Sequence, residues 1–298
     1  MEVLAGPFPN SDDLLDRVAD ICPLPAAAQR LMALVHDEQT PIDSIAAAVL
    51  CDPALTAQVL RVSNSAAFRH AGAEPVRDLR HALITIGIEE LRIMAGAMAL
   101  LATFATRDEL SLDLHRTSAV CGSIVRAIAQ PPAGGSRSLP FLCGLLSEVG
   151  VLACLAVDGP GYLELWRRVR HVHEGGWSPL VVAERDALET RRYGVTTRTI
   201  GGRFLRRHHL PDEIADVIEI PPTQPLGAPL LHRATAFARI VTAIIVEALG
   251  RKRAGGLGEQ VEEVAKMTCL VEFQTADLVQ RCLAAAADMD RTLRATRD

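Results

Sequence analysis

Apolar residues along the chain recur at every third or fourth position, and no stretch sustains the every-second-position alternation of a strand. The pattern therefore predicts helices throughout and essentially no sheet. After Asp52-Pro53, residues Leu55, Val59, Leu60 and Val62 keep helical spacing until a stop near Asn64-Ser65. Leu79, Leu83, Ile84 and Ile86 continue the rhythm to Gly87, a residue suited to a helix C-terminus. Ile88–Phe104 is so uniformly apolar that it predicts a central helix buried on most sides. Further helices are predicted at about 109–130, 139–157, 161–174, 179–192, 197–208 and 211–219.

Punctuation supports this reading. Thr40-Pro41, Asp52-Pro53 and Ser178-Pro179 each put a capping side chain before a proline, the order expected where a helix begins. Pro131–Ser136, with its proline and glycine pairs, predicts an exposed loop, and the proline-rich run Pro221–Pro229 predicts a boundary. Beyond it come a long amphipathic helix at about 230–249, a Gly-rich break from Gly250 to Gly258, and two closing helices, the last capped by Thr275.

Composition narrows the class. Of 298 residues, 49% are hydrophobic and only 4% aromatic, so the core is built from Ala, Leu, Val and Ile, a composition suited to close helix packing. A formal charge of −5 lacks the basic excess of a general nucleic-acid binder. Seven scattered cysteines without a C-x-x-C pair read as buried thiols of a reducing cytosol. Pro7, Pro9, Asp12 and Asp13 interrupt any leader-like stretch, and the apolar runs near 93–105 and 234–249 are too short or carry Arg239 and Glu247. The expectation is a cytoplasmic protein with no membrane span.

Five segments in order resemble the HDOD family of bacterial signalling domains. They are Leu24-Pro25 with Gln29-Arg30-Leu31; the run from Asp52-Pro53-Ala54-Leu55 to Asn64-Ser65; Leu79-Arg80-His81-Ala82-Leu83 with Leu91-Arg92; Phe141-Leu142-Cys143-Gly144-Leu145-Leu146; and His209-Leu210-Pro211 with Ile214 and Ile218. The resemblance covers residues 14–222, leaving 223–298 as a C-terminal helical region. It implies an all-α, HD-like multi-helix domain with a C-terminal helical extension.

Catalytic relatives of this family hold one or two divalent ions with His and Asp side chains that activate water. The resemblance places those ligand positions on Ser147 and Glu148 after the "GLL" turn, on Thr117 upstream, on Thr197, and on Pro221 and Pro222 at the end of a later helix. Hydroxyls and prolines do not replace imidazoles and carboxylates, and one Glu is too few for a stable divalent site. The resemblance therefore implies no metal, no cofactor and no catalytic residue. It implies a non-catalytic module acting through contacts with signalling proteins, among them cyclic-dinucleotide turnover enzymes, kinases or response regulators.

Other constellations are weaker. His171 and His173 diverge on a helix, as do His208 and His209. Ile42–Ser65 outlines a helix-turn-helix, but its second helix offers only Gln58 and Arg61 as long polar readers, so DNA binding is not expected. Arg198, Arg203, Arg206 and Arg207 form the densest basic stretch, either a solvated helix face or an anion site. Two rival expectations follow: a divergent phosphohydrolase using Glu148 with His115, or a nucleotide or anion sensor near 198–209. The C-terminal helices are expected to pack back on the domain or to mediate self-association.

Overall fold

The computed structural model describes residues 11–21, 26–37, 39–51, 56, 59, 60, 63, 76, 87–104, 109–129, 136, 138–172, 179–221, 223, 227–251 and 256–294. Every regular element among them is a helix, as the periodicity predicts. In chain order these are α1 (Ser11–Ile21), α2 (Ala26–His36), α3 (Ile42–Leu50), α4 (Ile88–Thr103), α5 (Glu109–Ile128), α6 (Leu139–Leu145) and α7 (Val149–Val172). They continue as α8 (Pro179–Tyr193), α9 (Thr197–Arg207), α10 (Asp212–Glu219), α11 (Leu230–Arg251), α12 (Leu257–Met267) and α13 (Thr275–Arg294). Between α3 and α4, Thr56, Val59, Leu60 and Ser63 are also helical. The segments Asp52 to Leu55 and Leu79 to Ile86 lie outside the described residues.

Small residues decide how closely the helices approach. A methyl group on Gly144 of α6 would stand 2.5 Å from the Gly122 backbone of α5, so these two helices cross backbone to backbone. The start of α7 meets the start of α9 in the same way at Gly150 and Thr197. Around the α5–α6 pair, α11 packs on both helices, α13 packs on α5, and α10 packs on α6. In a second group, α4 packs on α2 and α3. From Met94 to Leu101, α4 is almost wholly buried, which accounts for its apolar circumference.

The C-terminal helices pack on the domain: α11 reaches α5, α6 and α10, while α12 joins α11 to α13. Leu139–Val169 is long and apolar enough to cross a membrane by composition, but 78% of its most apolar window is buried inside the fold, as in a core helix.

Two local expectations need correction. The stretch expected as one helix over 139–157 breaks after Leu145, where a turn at residues 146–148 separates α6 from α7. The interruption expected between 157 and 161 is present as a kink within α7: Asp158 leaves helical geometry at φ −139° and ψ 49°, so that two helices meet at Gly159-Pro160. Arg192 and the Tyr193 hydroxyl, both donating to the Asp158 carboxylate, hold that kink. Thr40 does not cap α3: Pro41 occupies the cap position without a side-chain bond, and the Thr40 hydroxyl donates to Asp37 at 3.0 Å. Ser178 lies outside the described residues.

The Gly150 contact yields a stability prediction. A Cβ there would fall 1.9 Å from the Thr197 carbonyl oxygen and 2.7 Å from the Gly201 nitrogen, both backbone atoms that cannot swing aside. Gly150→Ala should cost about 3 kcal/mol or more, at the upper end of overpacking effects. Gly258→Ala, where a methyl meets nothing within 4 Å, should leave stability unchanged or raise it by up to about 1 kcal/mol. Urea denaturation of the two variants checks the contrast.

Candidate functional site

The short α6 ends against Gly122, and the chain turns through Leu146, Ser147 and Glu148 before α7 begins. The Ser147 hydroxyl donates to the Gly144 carbonyl at 2.7 Å and lies 3.8 Å from the Cys121 sulfur on α5. This pins the turn so that Glu148, at the mouth of α7, faces α8 and α11. Its two carboxylate oxygens are shared between two arginines. Arg185 of α8 donates Nη2 to Oε2 at 3.0 Å, and Arg239 of α11 donates Nε and Nη2 to Oε1, each at 3.2 Å.

Both arginines carry the network further. Arg185 donates Nε to Glu189 at 2.8 Å, one helical turn along α8, and Nη2 to the Thr197 hydroxyl at 3.3 Å. Glu189 is fully buried and accepts the Tyr162 hydroxyl at 2.9 Å, the Thr197 backbone N–H at 2.8 Å and the Thr197 hydroxyl at 2.9 Å. The carboxylate thus satisfies a free amide at the start of α9. Arg239 donates its Nη1 to the Ile218 carbonyl at 3.2 Å, taking up an otherwise open acceptor in the last turn of α10.

The cluster balances two carboxylates, Glu148 and Glu189, against two guanidiniums, Arg185 and Arg239. Burial pushes the Glu148 carboxyl up, but the positive charges of Arg185 and Arg239 and their hydrogen bonds outweigh it and hold it below its ordinary 4.5. Burial also disfavours the Arg185 cation, yet Tyr162, Glu189 and Glu148 around it more than offset this. For Arg239, burial prevails, aided by Arg198 and Arg185, and lowers its pKa despite Glu148. Burial drives the Cys121 thiol up to about 12, and holds Tyr162 protonated as the donor to Glu189.

The structure brings together three of the residues singled out from sequence: Ser147, Glu148 and Thr197. It does not bring Thr117 to them. The Thr117 hydroxyl donates to the Asp113 and Leu114 carbonyls of its own helix, and Cys121, one turn further along α5, is the residue that meets Ser147. Pro221 is exposed beyond the end of α10, and Pro222 lies outside the described residues. His115 sits 3.4 Å from the Phe104 carbonyl through Nε2, a contact that engages it away from Glu148. Among the described residues, no three His, Cys, Asp or Glu side chains are grouped to hold a metal ion.

The basic stretch is engaged by acidic side chains. Arg198 binds Asp186 through both terminal nitrogens at 2.6 and 2.7 Å, and Arg206 pairs with Asp212, Asp216 and Glu219. Arg207 pairs with Asp16 at 2.6 Å and Arg203 with Asp12 at 3.6 Å. As an anion site the run is therefore occupied from within the chain. His208 lies against the Phe204 ring at 4.6 Å, which separates its surroundings from those of exposed His209. His173 lies outside the described residues.

Sequence reasoning missed Arg185, Glu189, Tyr162 and Arg239. A signal existed for Arg239, the single charge between Ala234 and Val246, since a lone charge within a core-facing helix requires a partner.

An all-helical, HD-like domain in which three of the six expected positions, Ser147, Glu148 and Thr197, meet around a buried ion cluster is the class defined by this geometry. The chain belongs to the HDOD domain family, which matches residues 21–221. Among curated proteins no match is found. A "Putative phosphohydrolase" from Shewanella amazonensis SB2B is 19% identical, with a TM-score of 0.65 over 94% of this chain and 97% of that one. An HDOD domain protein of unknown function from Geobacter sulfurreducens is also 19% identical, with a TM-score of 0.62 over 95% and 96% of the two chains. A "Putative signal transduction protein" from Marinobacter aquaeolei VT8 is 18% identical, with a TM-score of 0.53 over 94% of this chain and 66% of that one. At these identities the likeness is one of fold.

The depressed Glu148 pKa sets a pH dependence. Its ionised form is favoured by folding, so its contribution is complete above the unfolded-state pKa and is lost as pH falls through the lower folded value. The Glu148 contribution to the thermal midpoint should hold steady from about pH 7 to pH 5 and fall with further acidification, below the earlier loss near pH 6.5 from His208 and His232, whose lowered pKa values favour their neutral forms in the fold. Glu148→Ala, which leaves nine-tenths buried Arg239 without its carboxylate partner and Arg185 with Glu189 alone, should cost about 3 kcal/mol at pH 7 and soften the acid slope. Thermal melts of both proteins from pH 3 to 7 measure it.

Proposed function

We propose that this protein is a non-catalytic regulatory module, a member of a signalling family that works through protein contacts. The observation that carries the reading is the filling of the HD-like site. Where the resemblance expects side chains that grip a divalent ion, Glu148 and Thr197 meet the guanidiniums of Arg185 and Arg239. A guanidinium is a permanent cation with a fixed fork of donors, so it neutralises the carboxylate and satisfies its lone pairs. It carries no exchangeable water to activate, which metal-assisted hydrolysis requires. Cys121, the other polar side chain beside Ser147, is a buried thiol far from its thiolate form near neutrality.

Family membership supports a regulatory role, as does the fold shared with the Marinobacter aquaeolei protein named for signal transduction. The partners of such a module are signalling proteins, of the classes of cyclic-dinucleotide turnover enzymes, kinases or response regulators, met in the cytoplasm. The phosphohydrolase reading has the name of the Shewanella amazonensis neighbour in its favour, but Glu148 is already shared between two cations. An anion-sensing reading would need the basic run of α9 to be open, and its arginines hold Asp12, Asp16, Asp186, Asp212, Asp216 and Glu219.

Elemental analysis of the purified chain, with a phosphoester hydrolysis assay in added Mg²⁺ and Mn²⁺, decides between module and enzyme. The expected result is metal far below one equivalent and no turnover above that of buffer with metal. One bound equivalent of transition metal, or hydrolysis abolished by Glu148→Gln, would overturn the proposal.

A further inference from the structure

Helix α8 is attached to the fold differently from the others. Every other described helix buries at least two side chains of Leu, Ile, Val or Met. Among residues 181–193 of α8 the buried side chains are Glu189, Arg192 and Tyr193, while Val181, Val182 and Leu188 are only partly covered. The hold of α8 is made of hydrogen bonds and ion pairs. Two of them are reciprocal: Tyr162 of α7 donates its hydroxyl to Glu189 at 2.9 Å, and Tyr193 donates its own to Asp158 of α7 at 3.0 Å. Arg192 also binds Asp158, Arg198 of α9 donates both terminal nitrogens to Asp186, and Arg185 reaches Glu148 across the HD-like site.

Such a joint balances two large opposing terms. Docking strips water from Arg185, Glu189 and Arg192, and their pairing offsets that cost without the further gain of burying a broad apolar face. The balance is incomplete at one point. The Nη1 of Arg192 is buried and meets no acceptor among the described residues, a bond that water supplies once the helix lifts. At the end of α8, Gly194 turns the chain in left-handed geometry at φ 75°, with open space where a side chain would stand. That is a position suited to a hinge.

We infer that α8 is a detachable lid over the HD-like site, latched by polar groups, and that it undocks as a unit while the apolar core stays closed. Undocking returns Glu148 and Thr197 to solvent with Arg239 still beside the carboxylate. The module then has a latched and an unlatched surface, and a signalling partner that prefers one of them shifts the population. The inference goes beyond the non-catalytic reading and fails separately from it, because the docking of α8 is read without metal or substrate.

Three thiols test it in the full-length chain. Cys154 of α7, Cys143 of α6 and Cys282 of α13 are all wholly buried. Cys154 lies under α8, within the fields of Glu189, Asp158, Arg185 and Arg192, whereas Cys143 and Cys282 lie toward Cys121. Static burial protects the three alike, and only the lifting of α8 singles out Cys154. Iodoacetamide labelling under native conditions, resolved by peptide mass spectrometry, should modify Cys154 at least about tenfold faster than Cys143 or Cys282. Low urea should hardly change the Cys154 rate while steeply raising the other two, because undocking a polar helix exposes little surface.

Glu189→Gln, which weakens the bonds to Tyr162, Arg185 and Thr197, should raise the Cys154 rate about tenfold or more while keeping its lead. The wild-type comparison stands even where that variant does not fold. Three thiols labelled at one common rate, or a Cys154 rate that climbs with urea as steeply as the others, would overturn the inference. So would a folded Glu189→Gln chain whose Cys154 reacts no faster than in wild type.

Discussion

One carboxylate held between two guanidiniums organises the centre of this protein. Glu148 stands at the turn between α6 and α7, and the arginines that reach it come from α8 and α11, so a single residue joins elements distant in sequence. The same arginines then bind Glu189, Thr197 and the end of α10, which draws the start of α9 into the network. Buried charge is expensive unless each member is paired and its remaining hydrogen bonds are met, and in this cluster the two charges of each sign balance. The cluster is therefore specific in geometry: it tolerates only the arrangement in which five helices meet as they do.

That requirement explains the glycines. For Arg185 and Thr197 to lie within reach of Glu148, the start of α7 must approach the start of α9 closely, and Gly150 permits it. For the α6–α7 turn to sit beside Cys121, α6 must press on α5, and Gly122 with Gly144 permits that. The core of Ala, Val, Leu and Ile around them is the usual means of filling space between helices that approach this closely.

Helix periodicity and the family resemblance were legible in the sequence because both are local. The apolar rhythm of Met94–Leu101 announces a buried helix whatever its neighbours are. The Phe141–Leu146 run announces a family turn by its spelling alone. The interruption at Asp158 was legible because Gly159-Pro160 signals it, but the side chains that hold it, Arg192 and Tyr193, lie more than thirty positions away and were not. The partners of the α9 arginines were hidden for the same reason. Charge density is visible in one dimension, but Asp12 and Asp16 pair with Arg203 and Arg207 across nearly two hundred residues.

By itself the sequence determined that the chain is all-helical and that it resembles one family, and the resemblance set Ser147, Glu148 and Thr197 among the positions where catalytic HD relatives would carry metal ligands. These follow from local periodicity and from the identity of single residues. Only the tertiary structure decided what stands in their place. Ion pairing depends on distances of a few ångströms between groups far apart along the chain, and nothing in the spacing of Arg185 and Arg239 states that both point at one carboxylate.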